Sequence, residues 1–529
     1  MTGAARVVET DVCIIGAGIS SAMVAERVAE DTDARIVVVE AGNSMFNFEE
    51  RFERRKRFLE YGENPWPDDH IQSQFARGIQ SRSMCLGGLA LHWGGVVPRF
   101  TPEDFRQRSQ YGVGTDWPID YDDLEPYYTE AEERLGVAGE QGPGDLDPRA
   151  GGYPMPPMPL TYNLELLKDW AEKSGIPFWA NPVAKNTVPY KGRNVCQRCD
   201  TCNICPTGAK YSPDFTFRRL LDEGRIELLT RTLVRRLVPA NDSDRIEEAV
   251  AVDRDTPSDP VRIRARVFVV ATGYAWSSHL LLLSANSRFP EGLANASGRV
   301  GAYITGHRPV SAFVEVPFRM YPGMMGNNSL LSKRFQRPGS LDRYVRHDLR
   351  VWDSTTGRSP RLEDDEGRLL LGDSVLEDWR ARTARGSARL RAYYDVIPDR
   401  RSRISLDGGL RNEWGDPMPR IRFVDAAESV ELRPHTEEHI RGVFREIVAA
   451  GGGRVLSTGV QDVYDHPSGG CRMGDDPGTS VVDTRGRAHD HENLFVVGAP
   501  TAVSAGCGNG TLTFCALALR SADEVARTI

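Results

Sequence analysis

Residues 11–21 of this 529-residue chain read Asp11-Val-Cys-Ile-Ile-Gly-Ala-Gly-Ile-Ser-Ser21, and no other stretch limits its fold as strongly. The apolar run 12–15 predicts a buried parallel strand. Gly16 and Gly18 predict a tight turn into a helix through Ala22-Met-Val-Ala-Glu-Arg-Val28, and Arg35-Ile-Val-Val-Val-Glu-Ala-Gly42 predicts a second strand ending on an acid. Strand, glycine turn, helix, strand, acid is the unit that binds a dinucleotide. The two glycines let backbone N–H groups approach a pyrophosphate, which also gains from the partial positive charge of the helix amino terminus. Glu40 is the expected partner of ribose hydroxyls. Ser21 stands where a third glycine is usual and is small enough to keep helix and strand close.

The remaining composition narrows the class. A net charge of −8 leaves no basic footprint for nucleic acid. It mildly favours cationic substrates, although the local field of a pocket can reverse that preference. No apolar run is long enough for a transmembrane span, and the amino terminus shows neither a signal core nor a twin arginine, which predicts a cytoplasmic location. Five of the nine cysteines, Cys13, Cys85, Cys471, Cys507 and Cys515, lie among apolar or glycine-rich neighbours and are expected to be buried thiols.

Further along, the dense run 49–57 predicts a solvated helix face. Trp117-Pro-Ile-Asp-Tyr-Asp-Asp-Leu124 predicts a turn and an amphipathic helix capped by Asp120. The Pro/Gly-rich stretch 142–160 predicts a long surface connection. Strands are expected at 226–230 and 262–271, the latter leading through Thr272 and Gly273 into a helix. Residues 301–455, with alternating strand-like runs and Met/Gly/Asn loops at 320–330, predict a second domain. A final helix is expected from Thr511 to Thr528.

Several of these segments resemble the glucose–methanol–choline oxidoreductases: the opening fingerprint, Gly87-Gly-Leu-Ala-Leu-His-Trp-Gly-Gly95, residues 117–128, Val269-Val-Ala-Thr-Gly273, His466-Pro-Ser-Gly-Gly-Cys-Arg-Met-Gly474, Asn493-Leu-Phe-Val-Val-Gly498 and Gly508-Asn-Gly-Thr-Leu-Thr513. The His-Trp after the double glycine is most similar to the branch with pyranose oxidases, gluconate dehydrogenases and cluster-bearing glucose dehydrogenases. The resemblance implies an α/β plus α+β fold. A Rossmann-like FAD domain (1–45, 76–135, 190–300 and 456–529) would be interleaved with a sheet-containing substrate domain and its insertions (46–75, 136–189 and 301–455).

The resemblance also implies site roles. Gly16, Gly18, Ser21, Glu40, Gly87, Gly88, His92, Gly94, Gly95, Val234, Thr272, Gly273, Gly498 and Thr511 would hold FAD. His466 would take the substrate's hydroxyl proton while hydride passes to flavin N5, and Asn509 would orient the substrate oxygen. Gly510 stands where the family usually has proline. His92 has three readings: a covalent flavin link, the same motif without the link, or simple packing.

The spacing Cys196-x2-Cys199-x2-Cys202-x2-Cys205 approaches the ferredoxin run, whose last gap is three residues. An iron–sulfur cluster, a four-cysteine zinc site and unliganded thiols all accommodate it. The expected activity is oxidation of a sugar or glycoside hydroxyl to the carbonyl. Sterols, long-chain alcohols or a secondary-metabolite hydroxyl are the alternative substrates. A non-catalytic FAD electron-transfer subunit and a NAD-linked dehydrogenase are the alternative classes. Oxygen, a quinone or a redox protein would accept the electrons.

Overall fold

The computed structural model describes residues 6–43, 48–63, 65, 84–257, 260–323, 329–337, 344–357 and 359–529. Much of the expected 46–75 segment and of the 320–330 loop lies outside the described residues.

The fingerprint builds the middle of a seven-stranded sheet. Arg6–Ile15 lies parallel to Ile36–Val39 on one side and to Pro260–Val270 on the other, and Ile226–Leu229 continues the sheet beyond Ile36–Val39. The first half of Pro260–Val270 pairs antiparallel with Ile246–Asp253, which pairs with Thr232–Pro239; its last residues pair parallel with Leu494–Val496. Every residue of the runs 12–15 and 36–39 is buried, as continuous apolar strands require when helices cover both faces. The helix Ile19–Asp31 packs against the last helix, Thr511–Thr528, and that helix packs in turn on Tyr121–Leu135. Asp120 caps Tyr121–Leu135 as expected: its carboxylate accepts from Asp123 N at 3.1 Å, and the Asp123 side chain accepts from Asp120 N at 3.0 Å.

The second sheet is antiparallel and also seven-stranded, ordered Arg454–Val460, Thr305–Val316, Gly386–Asp395, Leu349–Asp353, Leu330–Ser332 and Trp179–Ala180, with Asp465–Ser468 pairing beside Arg454–Val460 on Thr305–Val316. This sheet therefore continues past residue 456. The period-two alternation of its strands separates two faces. Val310, Ala312, Val314, Leu349, Val351, Leu390 and Ala392 form an apolar core with the helices Tyr162–Glu172 and Ala427–Gly451. The intervening residues, including His307, Ser311, Arg350, Arg391 and Tyr393, take the opposite face. Register aligns Ser311, Arg391 and Arg350 across three strands.

Buried ion pairs tie the two sheets' segments together. Arg346 is fully buried between Asp104 (2.7 Å) and Asp395 (2.9 Å). Lys333 Nζ donates to Asp147 at 2.5 Å and to Arg99 O at 3.0 Å. The stretch 142–160 thus departs from a simple surface connection. It buries Leu146, Asp147, Met155 and Met158, because Lys333 needs a buried counterion and the two methionines pack with Ala138 and Val183. The charged run 49–57 does lie on a largely exposed helix, Phe48–Tyr61, but Arg51 turns inward to pair with Asp214. The five scattered cysteines are all buried.

Candidate active site

The first glycine turn is shaped for close backbone approach. Gly16 has φ +94°, and a Cβ there would sit 2.9 Å from Ala271 O, so only glycine fits. Gly18 is the N-cap of Ile19–Asp31, whose first turn carries neither an acid nor a side-chain cap, which leaves its N–H groups open to an anion. Gly87 N donates to Ala17 O at 2.9 Å, and Gly88 approaches Gly18. Gly498 closes against Ser20. Ser21 is buried, and Val234 and Thr272–Gly273 lie on or beside strands of the same sheet. Gly16, Thr272, Gly87, Gly88 and Gly498 gather around one uncapped helix terminus and fit a dinucleotide, whereas among the described residues no contact ties Val234 to that terminus.

Glu40 braces the turn itself. Its carboxylate accepts from Ala17 N (2.9 Å) and Gly42 N (2.8 Å), while burial raises its pKa.

His92 follows the short 3-10 turn Gly88–Leu91, and burial, reinforced by Lys210, lowers its pKa to about 4. Lys210 is itself buried. Its Nζ donates to Leu91 O (2.6 Å) and Trp93 O (3.0 Å), pinning the loop that carries His92, Gly94 and Gly95, and desolvation lowers it to about 7. Sequence reasoning missed this lysine, whose only signal was its place just after the last cysteine.

Cys196, Cys199, Cys202 and Cys205 line one cavity together with Lys185 and Lys210. Burial would raise the Cys205 thiol, but the backbone N–H and ammonium of Lys210 and the contacts of Thr207 hold it below its ordinary value. The four sulfurs do not converge as the ligands of a single ion: among the described residues, the group whose ligand atoms converge within 4.8 Å is Asp104, Asp395 and Cys507. The Arg346 guanidinium already pairs with both of those acids.

The two expected catalytic residues meet. His466 Nε2 lies 2.6 Å from Asn509 Nδ2, and His466 Nδ1 lies 2.6 Å from His307 Nε2. His466 sits on Asp465–Ser468 at φ +48°, a left-handed backbone that a side chain adopts at some cost and that clusters at functional sites. Asn509 precedes Thr511–Thr528, whose first residue is the expected Thr511. Burial lowers His466 to about 4; Asp465 works against that shift and Arg350 and Arg391 reinforce it, so the ring is neutral at pH 7. Burial would raise the Asp465 carboxyl, but His466, His307, the Tyr393 hydroxyl (2.8 Å) and Arg391 (2.9 Å) outweigh it and bring it to about 2.

With the Asn509 amide donating to Nε2, the His466 proton resides on Nδ1 and is donated to His307 Nε2. The lone pair of His466 is thereby aimed at Asn509 and not into the sheet. His307 was not foreseen, because it lies in the region 301–455 where no motif flags it.

The GMC oxidoreductase profile matches residues 398–518, a span that includes His466 and Asn509. The carboxy-terminal part of the chain is a GMC oxidoreductase domain. The chain is 29% identical to the fructose dehydrogenase large subunit of Gluconobacter japonicus, covering 97% of both chains. It is also 29% identical to the 6'''-hydroxyparomomycin C oxidase of Streptomyces lividus, with 98% of this chain and 91% of that one covered. Among solved structures, a pyridoxine 4-oxidase from Mesorbium loti superposes with a TM-score of 0.64 at 17% identity, covering 97% of this chain and 98% of that one. The chain is an FAD-dependent oxidoreductase acting on CH–OH donors, in agreement with the expected class. Among the described residues, no helix is long and apolar enough to cross a membrane.

Proposed function

We propose that this enzyme oxidises a hydroxyl of a sugar or glycoside to the carbonyl, with His466 as the base. The observation that carries the carbohydrate reading is the composition of the sheet face beside His466. His307, Ser311, Arg350, Arg391 and Tyr393 present hydrogen-bonding groups there, whereas a sterol or long-chain alcohol calls for the apolar lining that this sheet keeps on its other side. Relatives named for fructose and for an aminoglycoside support the same class.

Bound FAD supplies the hydride acceptor. The protein's part is to remove the hydroxyl proton at His466 Nε2, which carries the ring's lone pair because Nδ1 holds the proton against His307; that lone pair accepts from Asn509 Nδ2, a contact the substrate hydroxyl would replace. The imidazolium that forms adjoins the Asp465 carboxylate, which stabilises it. Asn509 Oδ1 is buried without a partner and is available to orient the substrate hydroxyl. Gly16, Gly18, Ser21, Glu40, Gly87, Gly88, Gly94, Gly95, Val234, Thr272, Gly273, Gly498 and Thr511 are the proposed FAD contacts. His92 offers a neutral imidazole, the form that either packs against a flavin or links to it, and release of FAD on acid precipitation distinguishes the two.

Cys196, Cys199, Cys202 and Cys205 line one cavity and would be the ligands of an iron–sulfur cluster, but no electron step is routed through one. Iron and acid-labile sulfide assays on protein purified without oxygen decide that question. Anaerobic mixing with fructose, gluconate and a long-chain alcohol tests the substrate class: bleaching of the flavin by a sugar supports it, and bleaching by the long-chain alcohol alone refutes it.

A further inference from the structure

Among the charged groups beside His466, Arg350 and Arg391 each hold a buried nitrogen without an acceptor, and that of Arg350 lies at the loop before Asn509. Arg350 is almost fully buried. Its Nε donates to Asp348 Oδ2 at 2.6 Å, and Asp348 Oδ1 in turn accepts from Tyr393 N at 2.6 Å. The guanidinium is thereby fixed over the Tyr393 ring, 5.3 Å from its centroid, and that ring lies 5.5 Å from the His466 ring. Its Nη2 has no acceptor. Arg391, its cross-strand neighbour, donates to Asp465 through Nη2 and leaves its Nε unpaired.

The loose end of Arg350 points to the catalytic loop. A Cβ built on Gly508, the residue before Asn509, would lie 3.8 Å from Arg350 Nη2 and 3.9 Å from Gln336 Nε2. Gln336 is buried, and its Oε1 is also without a partner. Asn509 Oδ1 is a third such atom. Two of these incompletely bonded side chains, Arg350 and Gln336, thus adjoin Gly508 together with Pro98 (3.7 Å from the same Cβ), and the third belongs to the next residue in the chain. Buried donors are rarely left unsatisfied, so such a convergence marks a place that a ligand completes.

We propose that Arg350, with Gln336, is a specificity-determining site that takes an oxygen substituent, hydroxyl or carboxylate, next to the carbinol that His466 deprotonates, and that rejects an ammonium there. The inference rests on the carbohydrate reading above and sharpens it. A guanidinium N–H needs an acceptor, and hydroxyl and carboxylate oxygens are acceptors. A substrate ammonium offers only donors: it would serve Gln336 Oε1 and Asn509 Oδ1 but leave Arg350 Nη2 without an acceptor, and it carries the same sign of charge as the guanidinium. The protein's overall negative charge favours cations, but at this point the local field is set by an arginine whose outer nitrogen is unclaimed.

The test uses the FAD-loaded full chain and follows anaerobic flavin reduction by fructose, gluconate and paromamine, in the wild type, Arg350→Met and Arg350→Lys. The wild type is expected to prefer fructose and gluconate to paromamine, a fall with gluconate alone in Arg350→Met assigning the acceptor to a carboxylate and a fall with both assigning it to a hydroxyl. Arg350→Met should raise KM for the preferred substrate about 10- to 100-fold, the weight of one charge-assisted hydrogen bond, with a smaller change in kcat and a narrower gap to paromamine. Arg350→Lys should recover part of the loss. Bound-flavin absorbance reports whether each variant folds. Unchanged KM values, or a shifted flavin spectrum with unaltered substrate preference, would overturn the proposal, the second outcome moving Arg350 to the cofactor. Failure of every alcohol to bleach the wild-type flavin would instead overturn the function proposed above.

Discussion

His466 Nδ1 lies 2.6 Å from Nε2 of His307, a residue 159 positions earlier in the chain. Two neutral imidazoles in contact must divide donor and acceptor roles, and here the division leaves the reactive lone pair of His466 on the side of Asn509. His307 does not need to touch substrate to matter, because it selects the tautomer of His466, the proposed base.

His466→Ala should retain FAD and lose roughly 10²- to 10⁴-fold in the rate of flavin reduction, the usual weight of a general base. Rapid mixing with substrate under nitrogen reads this directly, and a rate within a few-fold of wild type would remove His466 from the mechanism.

His307→Phe preserves a ring in the sheet but offers no acceptor to His466 Nδ1. Reorientation of the catalytic ring should lower the limiting rate on the order of 10²-fold with KM nearly constant. A purely structural role predicts a changed melting temperature with an unchanged limiting rate.

Acid should act in two ways. The groups around His466 (Asp465, His307, Asn509, Tyr393, Arg350 and Arg391) leave it with a pKa of about 4, so flavin reduction should be flat from about pH 8 to 5 and fall as pH approaches 4. His466 and His92, both at about 4, and His347, at about 3, titrate below the ordinary histidine value in the folded protein. The unfolded chain therefore binds more protons than the folded one below about pH 6.5, and stability should decline steadily from there toward pH 4. Denaturant midpoints measured at pH 7.5 and 5 check the sign.

Arg346→Met would strand Asp104 and Asp395 as buried, uncompensated carboxylates and should cost about 3–5 kcal/mol. Chemical denaturation of the variant, compared with Arg346→Met combined with Asp104→Asn and Asp395→Asn, separates the lost pairing from the lost packing.

Gly16→Ala forces a side chain into a left-handed turn against Ala271 O, and it should lower bound FAD per chain well before it lowers helix content. Absorbance of the purified protein and far-ultraviolet circular dichroism provide the two readings.

The parts of the site that could be read from sequence are those held by short chain segments. The fingerprint turn, the Asp120 cap, the start of the last helix at Thr511 and the His466–Asn509 pair depend on neighbours a few residues away or on contiguous motifs. His307, Arg350, Gln336 and Lys210 reach the site through strand register or long-range packing, and a one-residue slip would point any of the strand residues into the apolar core. For the same reason the stretch 142–160 looked like a surface connection: the partner that buries Asp147 is Lys333, almost two hundred residues away.

His466 rides on a strand of the antiparallel sheet, whereas Asn509 leads the helix that packs against the fingerprint helix of the parallel sheet. The reactive pair therefore straddles a seam. Folding of either half alone gives one residue and not the other, so the chemistry switches on with the docking of the halves and cannot precede it. A nascent or nicked chain that has already captured its nucleotide would be coloured but inert, and turnover becomes an assay of assembly as much as of catalysis.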